Sequence, residues 1–124
     1  MERTYSVEIE YSSKELSAKE RLQIKDTSDC IKLDTATNNG PVIIDVDSYA
    51  VLNIHNEKSS NPDYKCYVIV DKDGSRYATG SESFFNAFMF IWDELGGTDD
   101  WSLKAYRLPS KNRPGKDFIT CSVV

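Results

Sequence analysis

Histidine is nearly absent from this sequence, with His55 alone, and the three cysteines, Cys30, Cys66 and Cys121, are odd in number and far apart. No C-x-x-C pair occurs and no His is near any of them, so neither a zinc site nor a disulfide framework is expected. Cys66 and Cys121 sit inside apolar runs and read as small core hydrophobes. No apolar run approaches eighteen residues, and Met1-Glu2-Arg3-Thr4-Tyr5 lacks the charged-then-apolar form of a signal peptide. No membrane span and no membrane partner are therefore predicted, and the expected location is cytoplasmic. G-x-S-x-G, H-E-x-x-H and G-x-x-x-x-G-K-S/T are missing as well. No motif places an acid beside a base, so the chain is expected to be non-catalytic and to use no cofactor.

Two acidic patterns suggest a metal, and both fall short. Asp45 and Asp47 alternate onto one strand face, but no third or fourth ligand is recognisable. Asp71, Asp73, Ser75 and Glu82 reproduce the first, third, fifth and twelfth positions of a calcium-binding EF-hand loop. Its sixth position should be glycine and is Arg76, so a hairpin turn followed by a capped helix accounts for the same letters better.

What the chain does contain is ordinary for one globular domain: 124 residues, 40% hydrophobic and 28% charged, enough for a single modest core. Its net charge of -5 is unevenly placed. Residues 1–100 are strongly acidic, whereas residues 101–124 carry Lys104, Arg107, Lys111, Arg113 and Lys116 against Asp117 alone. A basic stripe on an acidic protein suits a polyanion held at one place.

The last sixty residues organise the reading. Lys65–Val70 is a β-branched and aromatic run, Asp73-Gly74 is a tight-turn pair, and Ser75–Thr79 returns as a second strand. Gly80-Ser81 offers a helix cap; Phe84, Ala87, Phe88, Ile91, Trp92 and Leu95 share one helix face until Gly96-Gly97 stops it. Met89 and Phe90 fall off that face, which marks a contact with the N-terminal region or a second copy. Trp101–Leu108 and Asp117–Val124 are two more strands around a basic loop, and Tyr49–His55 is a strand before the block. The order β-β-β-α-β-β is that of an OB-like five-stranded barrel, so the expected fold is mainly β with one or two helices. Residues 47–124 would form the barrel and residues 1–46 an N-terminal extension of the same domain. In that extension Thr4–Tyr11 alternates as a half-buried strand, with Tyr5, Val7, Ile9 and Tyr11 on one side. Ser17-x-x-Glu20 and Ser12-x-x-Glu15 both fit a capping box, so a short helix is expected somewhere in Ser13–Ile24, and Asn38-Asn39-Gly40-Pro41 is a sharp break before a strand at Val42–Val46.

Aromatic and basic residues interleave on the predicted strands. Alternation puts Lys104 and Tyr106 opposite Leu103 and Ala105, turns Tyr67 away from Cys66, Val68 and Val70, and turns Phe118 away from Ile119 and Cys121. Single-stranded nucleic acid needs flat rings for bases beside cations for phosphates. Tyr67, Tyr77, Tyr106 and Phe118 are the expected stacking residues, and Lys65, Arg76, Lys104, Arg107, Lys111, Arg113 and Lys116 the expected phosphate contacts.

Several stretches add a likeness: Asp26-Thr27-Ser28-Asp29, Val42–Asp45, Ile54–Lys58, Tyr77–Phe84, and Pro109–Asn112 through Gly115–Ser122. Together they resemble small proteins encoded by phages and mobile elements of Gram-positive bacteria, the phage-type single-stranded DNA-binding proteins of OB-like fold. That resemblance implies single-stranded DNA as the partner, in replication or recombination, with a second copy or a host or phage replication protein as further partners. The acidic bulk of residues 1–100 suggests the alternative of a protein-interaction module that occupies a host protein's nucleic-acid groove.

Overall fold

The computed structural model describes residues 5–98, 101–112 and 115–124. In chain order the elements are β1 (Tyr5–Ser12), α1 (Ala18–Lys25), β2 (Ile31–Lys32), α2 (Leu33–Ala36), β3 (Val42–Ile44), β4 (Val46–Asn56), β5 (Asp63–Asp71), β6 (Arg76–Thr79), α3 (Glu82–Leu95), β7 (Leu103–Pro109) and β8 (Asp117–Val123). Thr4 and Arg113, assigned above to a strand and to a phosphate contact, lie outside the described residues. No helix among the described residues is long and apolar enough to cross a membrane.

The mainly β architecture agrees with the sequence, but the strands do not close into one five-stranded barrel. They form a large sheet of order β1-β4-β5-β6-β2 and a small sheet of order β3-β7-β8. Closure would require β6 to pair with the β7–β8 hairpin, and the free edge of β6 is instead taken by β2 in parallel, Ile31 beside Tyr77. Residues 5–46 are woven into both sheets: β1 pairs antiparallel with β4, and β3 with β7.

Local chemistry explains most boundaries. Of the two candidate capping boxes, Ser17 and Glu20 form the one that starts α1. Gly40, at φ 123, makes the turn before β3 in a region that favours glycine. The Lys72–Gly74 turn closes the β5–β6 hairpin, with Gly74 N–H donating to the Asp71 carbonyl at 2.9 Å. At α3 the Ser81 hydroxyl accepts from Phe84 N–H at 3.2 Å, and the Gly96 N–H donates to the Trp92 carbonyl at the other end.

Two cores flank the large sheet. On one face, Tyr49, Val51, Tyr67 and Ile69 meet Phe84 and Phe88 of α3, and the inward residues Leu103, Ala105, Ile119 and Cys121 of the small sheet close the same core. Tyr49 is its centre, with ring centroids 5.2 Å from Phe88 and 5.0 Å from Trp92, both edge-on. On the opposite face Ala50, Leu52, Ile54, Cys66, Val68 and Ala78 pack against Ile24 and Cys30. All three cysteines are buried. Within β1 a register shift between Ile9 and Tyr11 breaks the expected alternation. Val7 and Ile9 pack on the second core, whereas the Tyr11 ring reaches Tyr49 at 5.6 Å in the first; an extra residue flips the face that follows it.

The sheets are joined at one corner. Only Asp45 separates β3 from β4, so a single run of chain leaves the small sheet and enters the large one. The Asp45 N–H donates to Asp71 Oδ2 at 3.0 Å, its carbonyl accepts from the Lys72 N–H at 2.8 Å, and its carboxylate accepts from the Ser102 hydroxyl. Asp71 is 8% exposed and also accepts from its own turn, the Asp73 N–H at 2.9 Å. Asp71→Ala leaves the Asp45 and Asp73 amides without that acceptor. It should lower unfolding free energy by about 1 to 3 kcal/mol in urea titration, and a change within error would show that water replaces the carboxylate.

Candidate nucleic-acid interface

The small sheet covers the core with one face only. Register places Ile43, Lys104 and Ser122 in one outward row, Tyr106 and Thr120 in the next, and Leu108 with Phe118 in the third. Their partners by alternation, Leu103, Ala105, Ile119 and Cys121, are the buried inward set, so the period-two reading of these two strands holds. Of the outward residues Ile43 is 52% exposed, Leu108 41% and Phe118 37%. The Tyr106 hydroxyl lies 2.7 Å from Ser122 Oγ, on the neighbouring strand, which fixes where the ring lies on the sheet. Lys104 Nζ is 5.1 Å from the centroid of the same ring, a cation–π contact that keeps a positive charge beside an aromatic face. No carboxylate shares these outward rows.

The β7–β8 loop extends this face. Ser110 N–H donates to the Lys116 carbonyl at 2.9 Å, and Gly115 at φ 83 turns the chain where other residues would be strained. Lys111 and Lys116 are exposed. The loop and the sheet together therefore present three lysines, two aromatic rings and two aliphatic side chains. Ile43 and Leu108 were not among the expected contacts. Leu108 continues the alternation of Lys104 and Tyr106, but Ile43 joins the face only through the β3–β7 pairing, which no local pattern announces.

The remaining expected residues are elsewhere, and each has a structural occupation. Tyr67 is 6% exposed and stacks on Phe85 with centroids 4.1 Å apart and planes 7° from parallel, so it is a core ring and offers no free face to a base. Tyr77 packs partly buried against the same core. Tyr67 turns away from Cys66, Val68 and Val70 as expected, but the large sheet has a core on each side, and the side that Tyr67 and Tyr77 face is the first core. Burial accordingly holds both phenols above their ordinary pKa. Among the cations, Lys65 Nζ contacts both Glu10 carboxylate oxygens, at 3.2 and 3.0 Å. Arg76 is largely buried and donates to Asp29 Oδ2 at 2.9 Å, tying β6 to the turn after α1. Arg107 pairs with the inward residue Ile119; it donates through Nε to Thr37 Oγ1 at 3.0 Å and through a terminal nitrogen to the Asp34 carbonyl. These three hold the fold's N-terminal half to its C-terminal half and are not aligned with the outward rows.

Among the described residues no group of three or more His, Cys, Asp or Glu side chains is placed to hold a metal ion. Burial pushes the Cys66 thiol up to about 11 and the Cys121 thiol up to about 12, so both are protonated at neutral pH. A concavity of about 440 Å³ on the large sheet is bordered by Glu8, Asn53, His55, Asp63 and Lys65. Its acids oppose a polyanion. His55 Nδ1 lies 2.7 Å from Asp63 Oδ1, and Nε2 lies 3.6 Å from Glu57 Oε1. The hydrogen bond to Asp63, and after it the nearby Glu57 carboxylate, raises the His55 pKa above its ordinary 6.5. A raised folded pKa means that the added stability is fully present below the unfolded value and is lost as pH rises through the folded one. In an NMR titration His55 should titrate above 6.5, and Asp63→Asn should bring it down; an unchanged value in the variant would remove Asp63 as the cause.

Compared with known proteins, the chain matches no family model, no curated protein and no solved structure.

Proposed function

We propose that the outward face of the β3-β7-β8 sheet binds single-stranded DNA without catalysis, in the replication or recombination of a phage or mobile element. The observation that carries this reading is a solvent-facing sheet surface that sets Lys104 beside Tyr106 and carries Phe118, with no carboxylate in its outward rows and with the exposed Lys111 and Lys116 on the adjoining loop, on a protein of net charge -5. Rings accept bases of any identity because every base has a π-face, and the lysines follow the phosphates. An acidic remainder repels a polyanion everywhere else, which restricts the strand to this face.

The topology supports an OB-type reading in opened form. The bent β3–β4 run, the β5–β6 hairpin, α3 and the β7–β8 hairpin follow the OB order, and the β7–β8 loop corresponds to one of the loops such folds use for oligonucleotides. In this reading β2 occupies the edge of β6 at which a closed barrel would continue. The resemblance to phage-type single-strand binders favours DNA over RNA.

The test is fluorescence anisotropy of a labelled oligo-dT of about 30 nucleotides at two salt concentrations, with duplex competitor. Binding should weaken with salt and resist the duplex. Tyr106→Ala and Phe118→Ala should each cost about 1 to 3 kcal/mol. Replacing Lys104, Lys111 and Lys116 together by Ala should flatten the salt slope by up to about 2. Tyr67→Leu, by contrast, should change stability while leaving affinity of the folded protein unaltered. No binding at low salt and tens of micromolar protein sinks the proposal.

A further inference from the structure

The outer side of α3 differs in character from the rest of the surface. Phe90 is 79% exposed, the most exposed large hydrophobic side chain among the described residues. It shares a concavity of about 390 Å³ with Asn86, Met89 and Asp93. The helix sequence carries Glu82, Asp93 and Glu94, all exposed, and no Lys or Arg. Asp93 and Glu94 sit in the last turn, where the helix dipole favours cations, so their placement gains nothing for the helix itself. An aromatic ring flanked by carboxylates is the chemical counterpart of the small sheet's outward face, which offers Tyr106, Leu108 and Phe118 among lysines.

We propose that the Phe90 stripe of α3 docks on the β3-β7-β8 face of a second copy of this chain. The two patches are different surfaces of one molecule, so the contact is head-to-tail: each copy presents one free stripe and one free face, and association is open-ended unless the geometry closes a ring. Charge complementarity selects this occupant, since Glu82 and Asp93 can meet Lys104 and Lys116 while Phe90 covers apolar surface between them. A single ring as exposed as Phe90 with a few exposed charges around it places the contact among weak, transient interfaces. Resting on the nucleic-acid reading of the same face, the contact also regulates that site, because the stripe and a DNA strand compete for it.

Sedimentation velocity from about 10 µM to about 1 mM protein covers this affinity range. At about 50 mM salt the wild type should associate, and at about 500 mM it should dissociate, since the pairing charges are exposed. Two variants separate the faces: Phe90→Ser with Asp93→Asn removes the stripe, and Lys104→Gln with Lys116→Gln removes the sheet patch. All four positions are at the surface, and circular dichroism melts would establish that both variants are folded. Each variant alone should dissociate at least tenfold more readily than the wild type. Mixed in equal amounts they should form a capped one-to-one complex, because one retains the stripe and the other the face. A wild type that stays monomeric throughout at low salt overturns the inference, as does a mixture that stays monomeric or a stripe variant that associates like the wild type. Added oligo-dT should disperse wild-type assemblies. Assembly with the predicted variant pattern but no oligo-dT binding would count against the nucleic-acid reading alone; tight oligo-dT binding by a strictly monomeric protein would count against the self-contact alone.

Discussion

Strand β4 is buried on both of its faces, and the rest of the architecture follows from that constraint. A sheet that faces water on one side needs one covering layer; a central strand with Tyr49 and Val51 on one side and Ala50, Leu52 and Ile54 on the other needs two. α3 and the small sheet supply the first, and α1 with the turn that follows it supplies the second. The N-terminal third of the chain is for this reason part of the fold's interior wall, and its strands β1 and β3 are hydrogen-bonded to β4 and β7.

The double burial also decides which polar residues are free to act. Arg76 and Arg107 anchor the N-terminal segment through Asp29, Thr37 and the Asp34 carbonyl, and Lys65 is matched by Glu10. These cations are paired within the fold. Among the described residues the small sheet has no second layer, so its outward residues keep their charge and rings available. Function on this molecule is therefore sought where the layering stops, at the three outward rows of β3, β7 and β8 and on the outer side of α3.

The corner at Asp45 makes that division workable. A chain that passes from one sheet to another must satisfy its backbone groups at the bend, and here the Asp71 carboxylate, the Lys72 amide and the Ser102 hydroxyl meet all the groups that Asp45 presents. The small sheet is thereby fixed relative to the large one, while among the described residues its outer face carries no further layer. Two sheets sharing one core and one bent strand give a rigid platform without the closed ring of hydrogen bonds that a barrel would have.

The sequence by itself determined the local elements, because their causes are local. Asp73-Gly74 sets the hairpin, Ser81 and Gly96 bound α3, Ser17 with Glu20 caps α1, and period-two alternation sorts Lys104, Tyr106 and Phe118 from Leu103, Ala105 and Ile119. Only the tertiary structure decided which side of each strand meets water, since alternation separates two faces without saying what covers them. Tyr67 and Phe118 alternate alike, yet one stacks on Phe85 in a core and the other is 37% exposed. Likewise β6 carries no mark that its edge partner is Ile31–Lys32, forty-odd residues upstream, and that pairing, set by contacts distant in sequence, is what leaves the barrel open.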